Sequence, residues 1–512
     1  MDFARPERGT LSPLGPPRRV VVRGPYRYVP NPLYLAATAI MLGEATIVRS
    51  TEIALAWLAW FVCANIFVLA DEEPYLRKRF GASYDEYTHN VRRSIPASNP
   101  PEQFAMSVTA GVILLYCVAT VVAIITQRVR IPYTAALLLV GVALGASHVV
   151  ALPHLTKDLL FAIFLPGLLF EAAYHLEVQE LRENAYAIGA LAVPGVVAAI
   201  AITALFLVAG SALLGKPPVA WRTALIFGGV IAATDPVAVT ALFRQAAAPR
   251  RLHVLVESES LLNDGTSIVF LTLMLAFFAG ESPTVTQLVV GFVRIAGGGV
   301  VVGFVIGWGI SRIRTRLDDA AIEITLTTIA AYGAFVLAEQ MHCSGVMATV
   351  AAGVVCGRTG RHHEMTAGTR SAVDSFWEWL AFALNSAVFL LLGAELQLGA
   401  LAKNWRLVLV GVLAVLGARA IVVALVVLFL RRTGERMSGA WGAVLVWGGL
   451  RGALSLVLAL ALPASIEDRS LIVALTAGIV MVSLVGQGTT MSMLLRRVGV
   501  VGRAPPLGDP YA

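Results

Sequence analysis

Long apolar segments follow one another along most of this chain, and they limit its fold more than any other feature. A helix needs about 20 apolar residues to cross a bilayer, and thirteen segments from residue 104 onward cross or nearly cross one. Because 57% of the residues are hydrophobic and only 14% are charged, the sequence predicts an all-α polytopic membrane protein. The segments occupy residues 104–127, 132–152, 157–174, 185–214, 219–243, 252–280, 285–311, 321–340, 343–358, 372–397, 405–430, 437–462 and 470–495.

The basic residues of the loops alternate in number from one loop to the next. Loops on one side of the predicted membrane carry 18 arginine and lysine residues, and loops on the other side carry 6. Short cytoplasmic loops are enriched in these residues, so the pattern supports thirteen spans with a cytoplasmic C-terminus, as expected in a bacterial inner (cell) membrane. The same loops explain the net charge of +7, and no nucleic-acid partner is expected. The basic linker at residues 71–102 does not fit this scheme, so its orientation stays open.

Several carboxylates lie inside apolar segments, in the stretch from Ala233 to Ile268. Ionisable side chains at membrane depth are costly, so they usually face a water-filled cavity and mark a path for ions or protons. In the fifth segment, Pro236 follows Asp235 and removes a backbone donor, so the helix is expected to unwind there. Freed carbonyls and helix ends at such a break can bind ions. The stretch contains the acidic residues Asp235, Glu257, Glu259 and Asp264.

The sixth segment places four polar side chains on one helical face. Glu259, Ser260, Asn263 and Asp264 stand at positions i, i+1, i+4 and i+5. Oxygen ligands of this kind suit a hard cation such as Na⁺, and residue type alone does not distinguish Na⁺ from Li⁺ or K⁺. A buried carboxylate also binds a proton readily, because loss of hydration disfavours its charged form. Cation and proton are therefore expected to compete for one site.

Four motifs together resemble a known family. The ATDP stretch, ESESLLND, FLPGLLFEAA from Phe164 to Ala173 and WGGLRGALS from Trp447 to Ser455 are similar to motifs of the sodium/proton exchangers of the cation:proton antiporter class, the NhaP/NHE branch. The resemblance covers about residues 104–497. It implies a thirteen-helix inverted-repeat fold with two crossing broken helices, a homodimer, and an elevator-type movement of one domain against the other. It implies a transporter of a monovalent cation and H⁺ rather than an enzyme, with no cofactor and no metal other than the transported cation.

The resemblance also assigns roles to individual residues. Asp264 would hold Na⁺ or H⁺, and the Asn263-Asp264 pair is similar to that of electroneutral exchangers, which move one proton for each Na⁺. Glu259 would form a structural ion pair with Arg419 rather than act as a ligand. The remaining assignments are Asp235, Thr234 and Ser260 beside the ion, Arg451 in support of the broken helix, and Glu171 in an access funnel.

Other charged residues have simpler interpretations. Glu257 is expected mainly at the mouth of its helix rather than on the ion path. Long or charged side chains near segment ends usually reach the membrane interface. Interfacial hydration is therefore expected for Glu323, Glu339, Glu378 and Glu395. The glycines of segment seven are expected to allow close helix packing.

The first hundred residues resemble a different family. GPYRYVPNPLYL from Gly24 to Leu35 and the stretch from Glu72 to Pro96 look like the C-terminal half of isoprenylcysteine carboxyl methyltransferases, which use S-adenosylmethionine. The predicted organisation is a two-helix membrane appendage at 1–100, an antiporter domain at 101–498 and a short cytoplasmic tail at 499–512. Pro30 stands where that family usually has arginine or histidine, so the appendage is either a membrane methyltransferase or an inactive fragment, which would be a regulatory appendage or a remnant. Its candidate site consists of Tyr28, Asn31, Tyr34, Glu72 and Glu73.

Overall fold

The chain divides into two compact units, Met1–Ala105 and Met106–Ala512. The first unit lies outside the residues that the computed structural model describes, and so does the candidate methyltransferase site at Tyr28, Asn31, Tyr34, Glu72 and Glu73. The predicted tail lies outside them beyond residue 500. The described residues are 108–129, 132–147, 159–214, 218–245, 248–278, 280, 284–314, 318–362, 366–396, 398–432 and 437–500.

All regular structure in these described ranges is helical. Four of the helices begin with, or contain, a π-helical turn, at Leu160–Phe164, Leu191–Gly195, Val293–Gly297 and Ser483–Gln487. The helices in chain order are α1 Val108–Val129, α2 Tyr133–Ser147, α3 Leu160–His175, α4 Val178–Glu183, α5 Ala185–Leu213, α6 Trp221–Ile231, α7 Val237–Gln245, α8 Arg250–Phe278, α9 Val285–Arg314, α10 Ala320–Gln340, α11 Gly345–His362, α12 Ala367–Glu395, α13 Leu398–Lys403, α14 Trp405–Leu430, α15 Gly439–Gly448, α16 Ala453–Leu460 and α17 Arg469–Arg497.

The predicted class, an all-α membrane protein, is confirmed. Seven described helices are individually long and apolar enough to cross a membrane, and the bent pair α15 and α16 makes an eighth span. The helices α1, α2, α3 and α6 contain shorter apolar stretches. Every one of the thirteen predicted segments coincides with a helix or with a broken pair of helices. The count of thirteen spans itself stays a prediction.

Small residues let several helices approach backbone to backbone. A Cβ atom added to Gly303 of α9 would lie 1.9 Å from the carbonyl oxygen of Ala348 in α11. An added Cβ on Gly145 of α2 would lie 2.2 Å from the carbonyl oxygen of Ala394 in α12. These two positions therefore have no space for a side chain, and small residues are typical of such helix interfaces in membranes. The glycine-rich segment seven therefore packs closely, as its sequence indicates.

Two broken helices meet in the interior. The first is interrupted between α6 and α7, and the second is interrupted between α15 and α16, which are bent by 43° relative to each other. The backbone N–H of Asp235 in the first interruption donates to the carbonyl of Leu450 in the second, at 2.8 Å. A Cβ atom added to Gly452 would lie 2.2 Å from the Asp235 Cβ. The two interruptions are therefore in direct contact, and only glycine fits at position 452.

Candidate functional site

Helix α8 brings its polar face against the first interruption. Glu259, Ser260 and Asn263 are buried there. The Thr234 hydroxyl donates to Ser260 Oγ at 3.1 Å, and the Asn263 amide donates to Thr234 Oγ1 at 3.4 Å. The same amide donates to Glu259 Oε1. The structure thus brings together Thr234, Ser260, Asn263 and Glu259 in one hydrogen-bonded cluster.

Glu259 is held by an arginine from α14. Arg419 donates from its two terminal nitrogens to the two carboxylate oxygens of Glu259, at 2.6 and 2.7 Å. Its Nε donates to the carbonyl of Leu445 in α15 at 3.2 Å. Parallel bonds of this kind fix the relative orientation of both groups. Glu259 therefore has both oxygens occupied, which leaves it poorly placed to act as an ion ligand.

Arg451 spans the two interruptions. It donates to the carbonyls of Ala232 and Ala233, at 2.7 and 3.1 Å. The unwound end of α6 leaves those carbonyls without helical partners, and an unpaired backbone group at membrane depth is costly. The hydroxyl of Ser455 also donates to the Ala233 carbonyl at 3.2 Å. The backbone N–H of Arg451 itself donates to Ser483 Oγ at 2.8 Å.

Sequence reasoning missed the two serines among these contacts. Ser455 belongs to the WGGLRGALS motif, so its position beside the break was available as a signal. Ser483 stands at the start of a π-helical turn within α17, and nothing in its surrounding sequence distinguishes it. Its contact with the backbone of Arg451 depends on packing between elements that the sequence does not reveal.

Asp235 and Asp264 face a shared cavity of about 120 Å³, which we call the ion cavity. Asp235 Oδ1 accepts a hydrogen bond from the backbone N–H of Val237 at 2.9 Å. Asp264 Oδ1 is buried and has no hydrogen-bond partner among the described residues. Asp264 interacts electrostatically with Asp235 and Glu259, which repel its charge, and with Arg451, which attracts it. A carboxylate in this position has a free oxygen for a cation or a proton.

A second, wider space of about 510 Å³ lies next to the first, and we call it the vestibule. Glu171 of α3 lines both the ion cavity and the vestibule. Two histidine–glutamate pairs stand in it, His175 with Glu171 at 3.3 Å and His253 with Glu257 at 3.6 Å. Glu378 of α12 also lines it. Glu257 and Glu378 therefore line the vestibule rather than the ion cavity.

The expectation for Glu323 is wrong. Instead of reaching an interface, this side chain is fully buried and pairs with Arg314 at the end of α9. Arg314 also donates to the backbone carbonyl of Cys356 at 3.0 Å. Burial is tolerated here because the two opposite charges neutralise each other.

In the described ranges, no group of histidine, cysteine and acidic residues is arranged to hold a resident metal ion.

Two interrupted helices that touch in the interior, with carboxylates beside the breaks, define the class of secondary transporters. Comparison with known proteins agrees with this class. The family model described as the transmembrane sodium/hydrogen exchanger matches residues 113–497. The Na⁺/H⁺ antiporter ApNhaP of Aphanothece halophytica is 38% identical over 406 residues, which is 78% of this chain and 75% of the relative. The Na⁺/H⁺ antiporter NhaP of Pseudomonas aeruginosa is 38% identical, over 67% of this chain and 81% of the relative.

The fold has a solved counterpart as well. The sodium proton antiporter MjNhaP1 of Methanocaldococcus jannaschii matches with a TM-score of 0.64 and 21% identity, over 77% of this chain and 99% of that chain. The chain belongs to the sodium/hydrogen exchanger family, and it is an integral membrane transporter rather than an enzyme. The expected family resemblance is thereby confirmed. The methyltransferase resemblance of the N-terminal part is also confirmed, in a match to the phospholipid methyltransferase family model over residues 11–83.

Proposed function

We propose that this protein exchanges a monovalent cation, Na⁺ or Li⁺, for H⁺ across a membrane. The observation that carries the proposal is the Asp264 carboxylate, which lies in a cavity beside two broken helices and has one oxygen without a hydrogen-bond partner among the described residues. Relatives with this family match are named as Na⁺/H⁺ antiporters. Exchange of K⁺ for H⁺ on the same fold is the alternative, because oxygen ligands accept each of these ions.

The charges of the buried cluster support a one-to-one exchange. Three carboxylates, Asp235, Glu259 and Asp264, stand near two guanidinium groups, Arg419 and Arg451. When all are ionised, one negative charge is uncompensated. One Na⁺ or one H⁺ neutralises it, whereas both together would leave a buried positive charge. Cation and proton therefore exclude each other at Asp264, and the cycle moves no net charge.

Asn263 supports the same stoichiometry. Its neutral amide donates to Glu259 and to Thr234, so it adds no titratable group to the cluster. Asp235 already accepts a backbone hydrogen bond and lies against Gly452. Asp264 is thus the carboxylate best placed to change its state during the cycle, with Thr234, Ser260 and Asp235 nearby.

Access to Asp264 runs through the vestibule. Glu171 lines both spaces and would attract cations towards the ion cavity. The cavity lining comes partly from α3 and α12, and partly from the interruptions, α8 and α16; we take these as two walls. An elevator-type movement of the second wall along the first would carry the ion across. We further propose that the protein forms a homodimer in the bacterial inner (cell) membrane. The loop charges support a cytoplasmic C-terminus.

Proteoliposomes test the exchange directly. With the purified full chain, outward or inward Na⁺ gradients should drive a change of internal pH, and Asp264→Asn should abolish it because an amide carries no exchangeable charge. The exposed Asp318→Asn is the matched control and should transport normally. Repeating the assay with Li⁺ and K⁺ ranks the cations. Undiminished Na⁺-driven exchange by Asp264→Asn would contradict the assignment of the site.

A methyltransferase activity of the N-terminal part is a second candidate, favoured by the family match at residues 11–83. S-adenosylmethionine is the cofactor that this match implies, and Glu72 and Glu73 belong to the candidate site. Transfer of labelled methyl groups to phospholipid vesicles or to a small isoprenylated thiol should be detected with the full chain and lost in Glu73→Gln. Incorporation no greater than that of a mock preparation would leave this part a non-enzymatic extension.

A further inference from the structure

The part of the ion-cavity lining that α3 and α12 contribute, which we call the α3–α12 wall, is almost entirely apolar. It comes from α3, with leucine and phenylalanine side chains such as Phe161 and Phe164, and from α12, with Val388. Among the described residues that these two helices contribute, Glu171 and Asn385 are the polar ones. Glu171 stands at the boundary with the vestibule. Asn385 is therefore the polar residue that α3 and α12 contribute to the cavity away from the vestibule.

The carboxamide of Asn385 is partly buried and makes no hydrogen bond to another protein group in the described part of the chain. Transfer of an amide from water into the protein costs free energy when the amide finds no hydrogen-bond partner there. An unpartnered one at membrane depth is explained by a ligand or by water in the cavity. Its neighbour Ser386, by contrast, is engaged with the hydroxyl of Tyr133 at 2.7 Å on another side of the helix. The two adjacent polar residues of α12 thus have different surroundings.

A cation moving from the vestibule to Asp264 must give up part of its hydration shell against this apolar wall. Carbonyl oxygens can replace that shell, and their number and placement influence which cation passes. The ligands on the other wall are carboxylate, hydroxyl and backbone oxygens near Thr234 and Asp264. The amide oxygen of Asn385 is the matching group on the α12 side of the same cavity.

We propose that Asn385 is a specificity-determining residue, whose amide oxygen replaces a water molecule on the cation while the ion lies between Glu171 and Asp264. The proposal rests on the exchange function proposed above. A carboxamide does not bind a proton in the physiological range. Asn385 therefore acts on the cation and leaves the proton affinity of the site unchanged. Asn385 and Asp264 come from different helices that line one cavity, so the contact of Asn385 with the ion lasts only while α12 and α8 keep this arrangement.

The test measures exchange in proteoliposomes against cation concentration and against pH. Asn385→Leu keeps the branched shape of the side chain and removes the oxygen, so the Na⁺ concentration at half-maximal rate should rise about five- to tenfold. Its half-maximal proton concentration, measured at very low Na⁺, should stay as in the wild type. Asn385→Asp should lower the half-maximal Na⁺ concentration because it adds a negative charge. Both variants should change the ratio of Na⁺ to Li⁺ half-maximal concentrations, and Asn385→Gln should restore part of the affinity.

Ser386→Ala is the control for any general disturbance of α12, and it should keep the wild-type cation affinity. An unchanged half-maximal Na⁺ concentration in Asn385→Leu would overturn the proposal, and so would an equal shift of the proton affinity. Na⁺-dependent thermal stabilisation of each purified variant in detergent gives a second readout that needs no transport. It should weaken in Asn385→Leu and persist in Ser386→Ala. Absence of exchange by the wild type would contradict the proposed function. The Na⁺-dependent thermal stabilisation would still decide whether Asn385 contacts the cation.

Discussion

Arg419 donates hydrogen bonds to both carboxylate oxygens of Glu259, and both side chains are buried. The pair neutralises itself, but each member depends on the other because an isolated charge at this depth has no other compensation. Its contribution to stability therefore appears mainly when one partner is removed.

We expect Glu259→Gln to destabilise the protein by about 3–5 kcal/mol, since it leaves the Arg419 charge buried and unpaired. The double variant Glu259→Gln with Arg419→Met should lose less than the sum of the two single variants. Thermal unfolding in detergent measures each. The exposed pair of Arg250 with Glu177 supplies the control, and Glu177→Gln should change stability by less than about 1 kcal/mol. Additive losses in the double variant would mean that the two buried residues are not coupled.

Gly452→Ala should damage the crossing of the broken helices. The new methyl group would lie 2.2 Å from both Cβ and Oδ2 of Asp235, so the two interruptions must move apart. Overpacking of this kind costs about 1–3 kcal/mol, and the displaced Asp235 should also reduce exchange. Melting temperature and transport rate are the two measurements. Gly309→Ala in α9 has open space around the added atom, and it should behave as the wild type does.

Asn263→Asp should make the exchange sensitive to membrane voltage. The substitution adds a second negative charge to the cluster and replaces the hydrogen bond to Glu259 by repulsion. Two charges then need compensation, so two protons should move against each Na⁺. An imposed K⁺ diffusion potential should accelerate or slow the variant and leave the wild type unaffected. Asn404→Asp, at the junction of α13 and α14, is the control for an added aspartate; voltage-independent exchange by Asn263→Asp would argue against the charge balance.

Competition at Asp264 predicts a specific pH dependence. On the acidic side of the titration, the Na⁺ concentration at half-maximal rate should rise about tenfold for each pH unit, with an unchanged maximal rate. The sign follows from the mechanism: acid fills the carboxylate with protons, and more Na⁺ is needed to displace them. Initial rates over a grid of Na⁺ and pH values provide the measurement. A half-maximal concentration independent of pH would mean that cation and proton bind at separate sites.

Residues with strong local signals were predictable from the sequence. Pro236 and the glycines around Arg451 indicate interrupted helices, and both interruptions are present. The motif resemblance named Arg419 as the partner of Glu259, and the two lie in contact.

Contacts between distant, ordinary-looking residues were not predictable. Glu323 stands near the start of a helix, where hydration is the usual outcome, and only the fold reveals Arg314 beside it. Ser483 and Asn385 carry no motif, and their positions beside Arg451 and in the ion cavity follow from the packing of α17 and α12. Sequence patterns describe single helices, whereas these contacts depend on how helices pack.

The bridging position of Arg451 has a consequence for the biogenesis of this protein. The Ala232 carbonyl receives its partner from a residue 219 positions further along the chain. During synthesis, α6 and α7 are therefore made before Arg451. The carbonyls of the interruption between them gain this partner only when the last quarter of the polypeptide has been made. A nascent chain that ends before Arg451 lacks the guanidinium group that pairs with the Ala232 and Ala233 carbonyls.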